Sequence, residues 1–404
     1  MPVRLKLGPG VIVAAAFIGP GTVTACTVAG ASFGFALLWT LVFATVATII
    51  LQDMAARLGA GAKRGLGEAL MEALPFAPLR WIAGGLVFAA LAIGAAAYEA
   101  GNLAGGALGV SAILGADSPQ RWLVVVMAWL AALVILSGRY RLIERALIGL
   151  VIVMSGAFAA SALLVRPELG ALAAGLVPQV PPGGLMTAVA LVGTTIVPYN
   201  LFLHAAAARE RWPNAGGVEE ARIDTGVSVG LGGLVSIAIL VTAASSLFGQ
   251  GTAVTSAADM AAGLEPAFGV AARYLVGIGL FAAGLTSAIT APLATAFALT
   301  ELAPVKSVER RMWIFRCIGL TVLAIGTAVA LVGISPVQLI LVAQIANGLL
   351  LPIVALFLLI VMNRAKVLGA HGNGLWSNVA GGAVLVITIG IGARLVLGAI
   401  GVLA

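Results

Sequence analysis

Two proline-containing motifs interrupt hydrophobic stretches that are each long enough to cross a bilayer. The first is Gly19-Pro20-Gly21-Thr22, near the amino terminus, and the second is Val197-Pro198-Tyr199-Asn200, near the middle of the chain. Proline has no amide hydrogen and clashes with the preceding helical turn, and lipid hydrocarbon offers no water to the freed backbone groups. A break at that depth is expected only where protein or a polar cavity covers it. The pair therefore predicts two interrupted helices around one central site, as in secondary transporters.

The composition predicts a membrane protein built only of helices. Of the 404 residues, 61% are hydrophobic and 9% are charged, whereas soluble proteins carry about 25% charged residues. No stretch alternates as barrel strands do. Cys26 and Cys317 lie inside apolar segments, so a disulfide framework or a thiolate metal site is not expected. The net charge of +7 is explained by basic loops on one side of a membrane rather than by a nucleic-acid partner.

Hydropathy divides the chain into eleven predicted spans, and most reach the roughly 20 residues that a spanning helix needs. The predicted spans are 8–30, 34–52, 80–114, 121–137, 143–165, 184–208, 226–249, 269–302, 312–332, 336–362 and 375–402. The broken spans are the first and the sixth. Because five helices precede the second break, the second half enters from the opposite face. We therefore expect a single transmembrane domain with a LeuT-like fold: two inverted five-helix repeats, about 8–165 and 184–362, and an eleventh helix at about 375–402.

The basic residues predict the orientation of a multi-pass protein in the inner or plasma membrane. With a cytoplasmic amino terminus, all of the 22 Lys and Arg residues fall on the cytoplasmic side except Arg121, Arg166, Arg273 and Arg394. This asymmetry predicts a cytoplasmic amino terminus and an external carboxyl terminus.

Several motifs resemble those of the NRAMP divalent-metal transporters over nearly the whole chain. The segment 197–204 is similar to the family's Met-Pro-His-Asn-Leu-Tyr-Leu-His in helix six. The segments 7–10, 34–39, 57–59 and 283–287 and the pair Arg310-Arg311 also fit the family. Gln344, eight residues before Pro352, resembles a glutamine that joins the family's metal site in some states.

The site itself departs from this family. The resemblance implies an Asp-Pro-Gly-Asn motif in helix one, where this chain has Gly19-Pro20-Gly21-Thr22. The methionine ligand of helix six is Val197 here, and the nearby histidine is Tyr199. The family's carboxylate, amide and thioether ligands are therefore replaced. A divalent transition metal that leaves its hydration shell needs compensating charge or good donors, so the family's usual metal chemistry is not expected.

Three interpretations of the central site follow. Without the carboxylate, the break exposes helical N–H groups that suit a small organic anion or an amino-acid-like solute. The alternative is a divalent cation, Mg²⁺ or Mn²⁺, held with relaxed coordination and symported with protons. A third interpretation is that the glycines only allow close helix packing. The residues expected to contact the substrate are Gly19, Pro20, Gly21, Thr22, Val197, Pro198, Tyr199, Asn200 and Gln344.

Two titratable residues are candidates for proton movement. Glu99 is the only acidic residue that the predicted spans place deep in the membrane. A carboxylate at that depth is by default a candidate for function. The alternative is a protonated Glu99 that only hydrogen-bonds a neighbouring helix. The resemblance also aligns Glu99 with an acidic position linked to protons. His204 lies one turn after Asn200 on the same helical face and is either a proton relay or an ordinary hydrogen-bonding residue.

The sequence thus predicts a secondary transporter that works by alternating access, with protons as the coupling ion. A glycine loop that ends in Lys-Ser or Lys-Thr is lacking, which argues against a pump driven by ATP. We find no nucleophile–base arrangement and expect neither an enzyme nor a bound cofactor. The predicted partners are a small solute or ion, protons and the lipid bilayer.

Overall fold

The computed structural model describes residue 8 and residues 18–115, 119–137, 140–212, 217–251, 253–302 and 307–401, without the side chains of 140–144, 366 and 370. Within these ranges all regular structure is helical. The helices are α1 Pro20–Phe33, α2 Leu38–Ala62, α3 Leu66–Ala73, α4 Ala77–Leu114, α5 Gln120–Ser137, α6 Tyr140–Leu164, α7 Leu169–Gly175, α8 Leu185–Thr195, α9 Pro198–Arg211, α10 Gly217–Ser246, α11 Ala257–Ala262, α12 Glu265–Phe268, α13 Ala271–Leu302, α14 Val308–Ala330, α15 Pro336–Met362, α16 Ala365–Leu368 and α17 Leu375–Ala399.

Ten helical stretches of the described residues are long and apolar enough to cross a membrane, and one of them is α8 and α9 taken together. They correspond to the predicted spans two to eleven. Residues 9–17 of the first predicted span, 8–30, lie outside the described residues. The chain is a multi-pass membrane protein, as the composition predicts.

Two predicted spans were too short. The second was expected to end at residue 52, but α2 continues to Ala62 because its polar residues find partners: Gln52 is 1% and Arg57 is 7% exposed. The seventh was expected to begin at residue 226, but α10 begins at Gly217. Its first turn contains Glu219 and Glu220, whose carboxylates favour a helix amino terminus.

The centre of the molecule is held together by helices that approach closely at glycines. Gly101, Gly105 and Gly109 on α4 pack closely against neighbouring helices, as small residues four apart commonly do in membrane proteins. A Cβ at Gly105 would lie 2.2 Å from the Pro20 Cβ at the start of α1, and one at Gly109 would lie 2.5 Å from the Gly277 carbonyl oxygen of α13. Helix α4 therefore contacts both the first break and α13, and it positions the residues described next.

The charged residues of one end of the molecule form two groups of ion pairs. Arg57 and Arg222 share the Asp53 carboxylate, each with a 2.8 Å contact from its Nε atom. Arg209 lies 3.3 Å from the Glu68 carboxylate. We call the end that contains Arg57, Arg209 and Arg222 the basic end.

Candidate functional site

The first break lies directly before α1. Gly19 is extended (φ −107°, ψ −174°) and precedes Pro20, the first helical residue. The Gly19 carbonyl accepts hydrogen bonds from the amides of Thr22 at 3.1 Å and Val23 at 3.2 Å. Since Pro20 has no N–H, most donors of this first turn are absent or already used.

The second break separates α8 from α9 and confirms that the sixth span is interrupted. Helix α8 ends at Thr195, Val197 is extended (φ −87°, ψ 122°), and α9 begins at Pro198. The Asn200 amide donates to the Val197 carbonyl at 3.1 Å. This helix start is also poor in free N–H groups.

The two breaks meet, and α15 packs against both. The hydroxyl oxygens of Thr22 and Thr194 lie 2.9 Å apart. A Cβ at Gly21 would lie 2.2 Å from the Gln344 Nε2 atom, so that side chain rests on the bare backbone of α1. A Cβ at Gly193 would lie 1.9 Å from the Gln344 carbonyl oxygen. Thr22, Gly21 and Gln344, which the sequence proposed for one site, are therefore neighbours.

Aromatic and hydroxyl groups cover the first break. The rings of Tyr98 and Tyr199 meet edge to face with centroids 5.7 Å apart, and Tyr98 also hydrogen-bonds Ser287. A Cβ at Gly19 would lie 3.3 Å from the Ser287 Oγ atom and 3.5 Å from the Tyr98 hydroxyl. Tyr98, Thr194 and Ser287 were not among the predicted site residues. The position of Tyr98 beside Glu99 was the available signal for one of them.

The centre is closed to solvent. The predicted substrate residues are all buried. Thr22 is 0% exposed, Tyr199 is 3% exposed, and Val197, Asn200 and Gln344 are each 1% exposed. The remaining four, Gly19, Pro20, Gly21 and Pro198, are also buried. Two amide oxygens, Asn200 Oδ1 and Gln344 Oε1, are buried without a hydrogen-bond partner. A buried oxygen without a partner is unfavourable by about 1–3 kcal/mol, and a ligand that accepts its lone pairs removes that penalty.

The site has no net charge from its side chains. The described residues contain no group of three or more His, Cys, Asp or Glu side chains that could hold a metal ion. The available donors are neutral oxygens of amides, hydroxyls and carbonyls, which are hard ligands.

Glu99 is buried on α4, where it packs against α14. Its side chain is 0% exposed, and a Cβ at Gly326 of α14 would lie 2.5 Å from the Glu99 Cγ atom. Asn102, three residues further on, interacts with the carboxylate, but neither Glu99 oxygen reaches hydrogen-bond geometry with any described residue. An unpaired carboxylate at this depth is stable when it carries a proton.

His204 lies in a separate polar group nearer the basic end. Its Nδ1 atom is 2.8 Å from Gln52 Oε1 and its Nε2 atom is 3.5 Å from Thr225 Oγ1. Since an amide oxygen only accepts, Nδ1 carries the proton in this arrangement. Glu301, which the sequence did not single out, is a second buried carboxylate at 3% side-chain exposure, 3.2 Å from the Gly67 amide.

The fold defines the class of protein. Solved structures with the same fold include a manganese transporter of Eremococcus coleocola, at a TM-score of 0.76 and 22% identity over 96% of this chain and 85% of that one. They also include a nucleobase-cation-symport-1 family transporter, at a TM-score of 0.60 and 15% identity over 98% of this chain and 93% of that one. The LeuT-like fold expected from the paired breaks is confirmed.

The sequence comparisons give the family. The model "Nramp: Natural resistance-associated macrophage protein-like" matches residues 10–398. The divalent metal cation transporter MntH of Klebsiella pneumoniae is 27% identical over 98% of this chain and 95% of its own length. MntH of Deinococcus radiodurans is 28% identical over 95% of this chain and 88% of its own length. The chain belongs to the Nramp family.

Proposed function

We propose that this protein is a secondary transporter of a hard divalent cation, Mg²⁺ or Mn²⁺, and that it holds the ion with neutral oxygens. The observation that carries this proposal is the pair of buried oxygens without partners, Asn200 Oδ1 and Gln344 Oε1. Thr22 and the carbonyls at Gly19 and Val197 are the further donors. Relatives named as divalent metal cation transporters support this choice.

The organic-anion interpretation lacks comparable support. It requires free N–H groups at the helix starts, but Pro20 and Pro198 have none and the amides of Thr22, Val23 and Asn200 are already bonded. The centre thus offers acceptors for a cation more than donors for an anion. A neutral site also holds an ion that keeps part of its hydration shell, because no carboxylate compensates for full dehydration.

Alternating access fits an occluded centre between two broken helices. In this proposal the half-helices α1 and α9 move relative to α4 and α13 and open the centre to one side at a time. Glu99 and His204 carry the coupling protons, and the amino terminus is cytoplasmic. Each of the two repeats, about 8–165 and 184–362, contributes one of these half-helices and one of the helices against which it moves.

Uptake into reconstituted vesicles tests the proposal. We expect saturable Mg²⁺ or Mn²⁺ uptake, and we expect Asn200→Leu and Gln344→Leu to raise KM roughly tenfold, as for one lost interaction of about 1.4 kcal/mol. Gln338→Leu is the matched control because Gln338 is exposed on the same helix, α15. Saturable uptake of small carboxylates or amino acids, with no uptake of either metal, would contradict the proposal.

A further inference from the structure

A groove of about 530 Å³ opens at the basic end between α2, α10 and α17. Its lining is divided by chemistry. Apolar side chains, including Ile49, Ile50 and Ile223, lie beside a charged group of Asp53, Glu219 and Arg222. Helix α17 forms one wall of the groove and packs tightly against α2. A Cβ at Gly381 of α17 would lie 2.8 Å from the Met54 Cε atom of α2.

The lining of the groove is typical of the level where a membrane changes from hydrocarbon to headgroups. It is formed by residues 49–54 in the middle of α2 and by the first turns of α10 and α17. Trp376, in the first turn of α17, lines it and is 83% exposed. Exposed tryptophan at a helix end is typical of the membrane interface. On α2 the isoleucines at 49 and 50 are followed by Asp53, which lies beside Arg222 of α10. This sequence of apolar and charged side chains matches the two parts of a phospholipid.

The charged group is arranged for a headgroup that carries both signs. The Arg222 Nε atom is held 2.8 Å from Asp53 Oδ1, while Asp53 also contacts Arg57. The arginine side chain is still 60% exposed, so its other guanidinium donors face the groove. Glu219 is exposed and lies three residues before Arg222 on α10, where side chains are neighbours about 5–6 Å apart. No ion pair within 4.0 Å joins these two described residues.

We propose that this groove binds a phospholipid with a primary-ammonium headgroup, phosphatidylethanolamine. The Arg222 guanidinium donates to the lipid phosphate, the Glu219 carboxylate accepts from the ammonium, and the acyl chains cover Ile49 and Ile223. The lipid thereby bridges α17 to α2 and α10. An anionic headgroup is disfavoured because it would face Glu219 and Asp53, and a choline headgroup has no N–H to donate.

Lipid retention in native mass spectrometry tests this assignment. The full chain in detergent is offered phosphatidylethanolamine, phosphatidylcholine and phosphatidylglycerol with identical acyl chains. We expect phosphatidylethanolamine to be retained roughly fivefold better than the other two, the size of one partly buried ion-pair contact. Equal retention of the three lipids, or preference for phosphatidylglycerol, would overturn the proposal.

Substitutions locate the binding to the groove. Glu219→Gln should lower phosphatidylethanolamine retention to the level of phosphatidylcholine. Glu309→Gln, another first-turn glutamate that is exposed, should leave it unchanged. Ala380→Phe fills the apolar part of the groove without touching a charge and should reduce retention of the same lipid. If Glu219→Gln and Ala380→Phe both retain phosphatidylethanolamine like the unmodified protein, the groove is not its site.

Discussion

The Thr22 and Thr194 hydroxyl oxygens lie 2.9 Å apart, and this hydrogen bond joins the start of one broken helix to the end of the other. Thr22 is in the first turn of α1 and Thr194 is in the last turn of α8. Both side chains are fully buried. The contact therefore links the two interrupted helices directly beside the proposed cargo site.

Replacing Thr194 with Val should weaken this link. The variant keeps the shape of the side chain but leaves the Thr22 hydroxyl without one partner, so we expect the free energy of unfolding to fall by about 1 kcal/mol. Thermal unfolding in detergent measures the change. Thr195→Val is the control, because the Thr195 hydroxyl bonds only the Leu191 carbonyl within its own helix. Equal effects of the two substitutions would show that the inter-helix bond stabilises the protein no more than a bond within one helix.

Two glycine substitutions should have opposite effects on stability. Gly193→Ala places a Cβ 1.9 Å from the Gln344 carbonyl oxygen, which belongs to the backbone of α15 and cannot rotate away. We expect a loss of about 1–3 kcal/mol together with impaired transport. Gly226→Ala, in the interior of α10, has open space around the new methyl group and should stabilise by up to about 1 kcal/mol. The unfolding temperatures of both variants decide this, and a stable Gly193→Ala protein would refute the tight α8–α15 contact.

Arg57 should tolerate no conservative replacement. Its Nε atom contacts Asp53, its Nη1 atom donates to the carbonyls of His371 at 3.1 Å and Gly372 at 3.2 Å, and its Nη2 atom donates to Asn373 Oδ1 at 2.8 Å. A lysine ammonium lacks the planar array of guanidinium donors and can satisfy only some of these four acceptors.

Arg57→Lys should therefore lower the free energy of unfolding by about 2 kcal/mol, the range for hydrogen bonds to charged groups. Arg310→Lys, at an exposed position in the first turn of α14, should change the free energy of unfolding little. If thermal unfolding does not separate the two variants, the network around α2 and the connection to α17 is not stabilising.

The sequence predicts the fold further than it predicts the site. Pro198 at bilayer depth was sufficient to predict the break between α8 and α9, because proline acts on the backbone of its own turn. The ends of α2 and α10 could not be predicted from hydropathy. Arg57 and Glu219 fall in predicted loops, because their partners and the start of α10 are not visible in the sequence.

The chemistry of the site depends on contacts that no spacing reveals. The sequence suggested an anion cradle from the bare glycines of the first break, yet the amides of Thr22 and Val23 are used by Gly19. Gln344 was correctly placed near the breaks through the resemblance. Tyr98 and Ser287 could not be assigned, because their contact with the Gly19 region depends on how α4 and α13 pack.

Glu99→Gln should reduce uptake driven by a pH gradient while leaving the protein folded. Glutamine has nearly the same shape and no titratable proton, and the Glu99 oxygens have no partner among the described residues that its amide would lose. Glu168→Gln, an exposed position, is the control. We measure metal uptake with and without an inward pH gradient. Unchanged gradient-driven uptake in Glu99→Gln would remove this residue from the proton pathway.

Returning a carboxylate to the first break should increase the affinity for Mn²⁺. At Gly19 the new Cβ would lie 3.3 Å from Ser287 Oγ and 3.5 Å from the Tyr98 hydroxyl. These contacts are tight but involve side chains that can shift and can donate to the carboxylate. The added charge compensates for dehydration of the ion, so Gly19→Asp should lower the dissociation constant for Mn²⁺ by about tenfold or more, which calorimetry measures.

Gly21→Asp provides the matched test. It adds the same charge two residues away, at a position where the Gln344 side chain already fills the space. Its Cβ would lie 2.2 Å from Gln344 Nε2, so Gln344 must leave and a proposed ligand is lost with it. We expect Gly21→Asp to bind Mn²⁺ less tightly than Gly19→Asp. Adding Thr22→Asn, Val197→Met and Tyr199→His to Gly19→Asp should strengthen binding further. If Gly21→Asp binds as tightly as Gly19→Asp, only the overall charge matters and the assigned positions of the ligands are wrong.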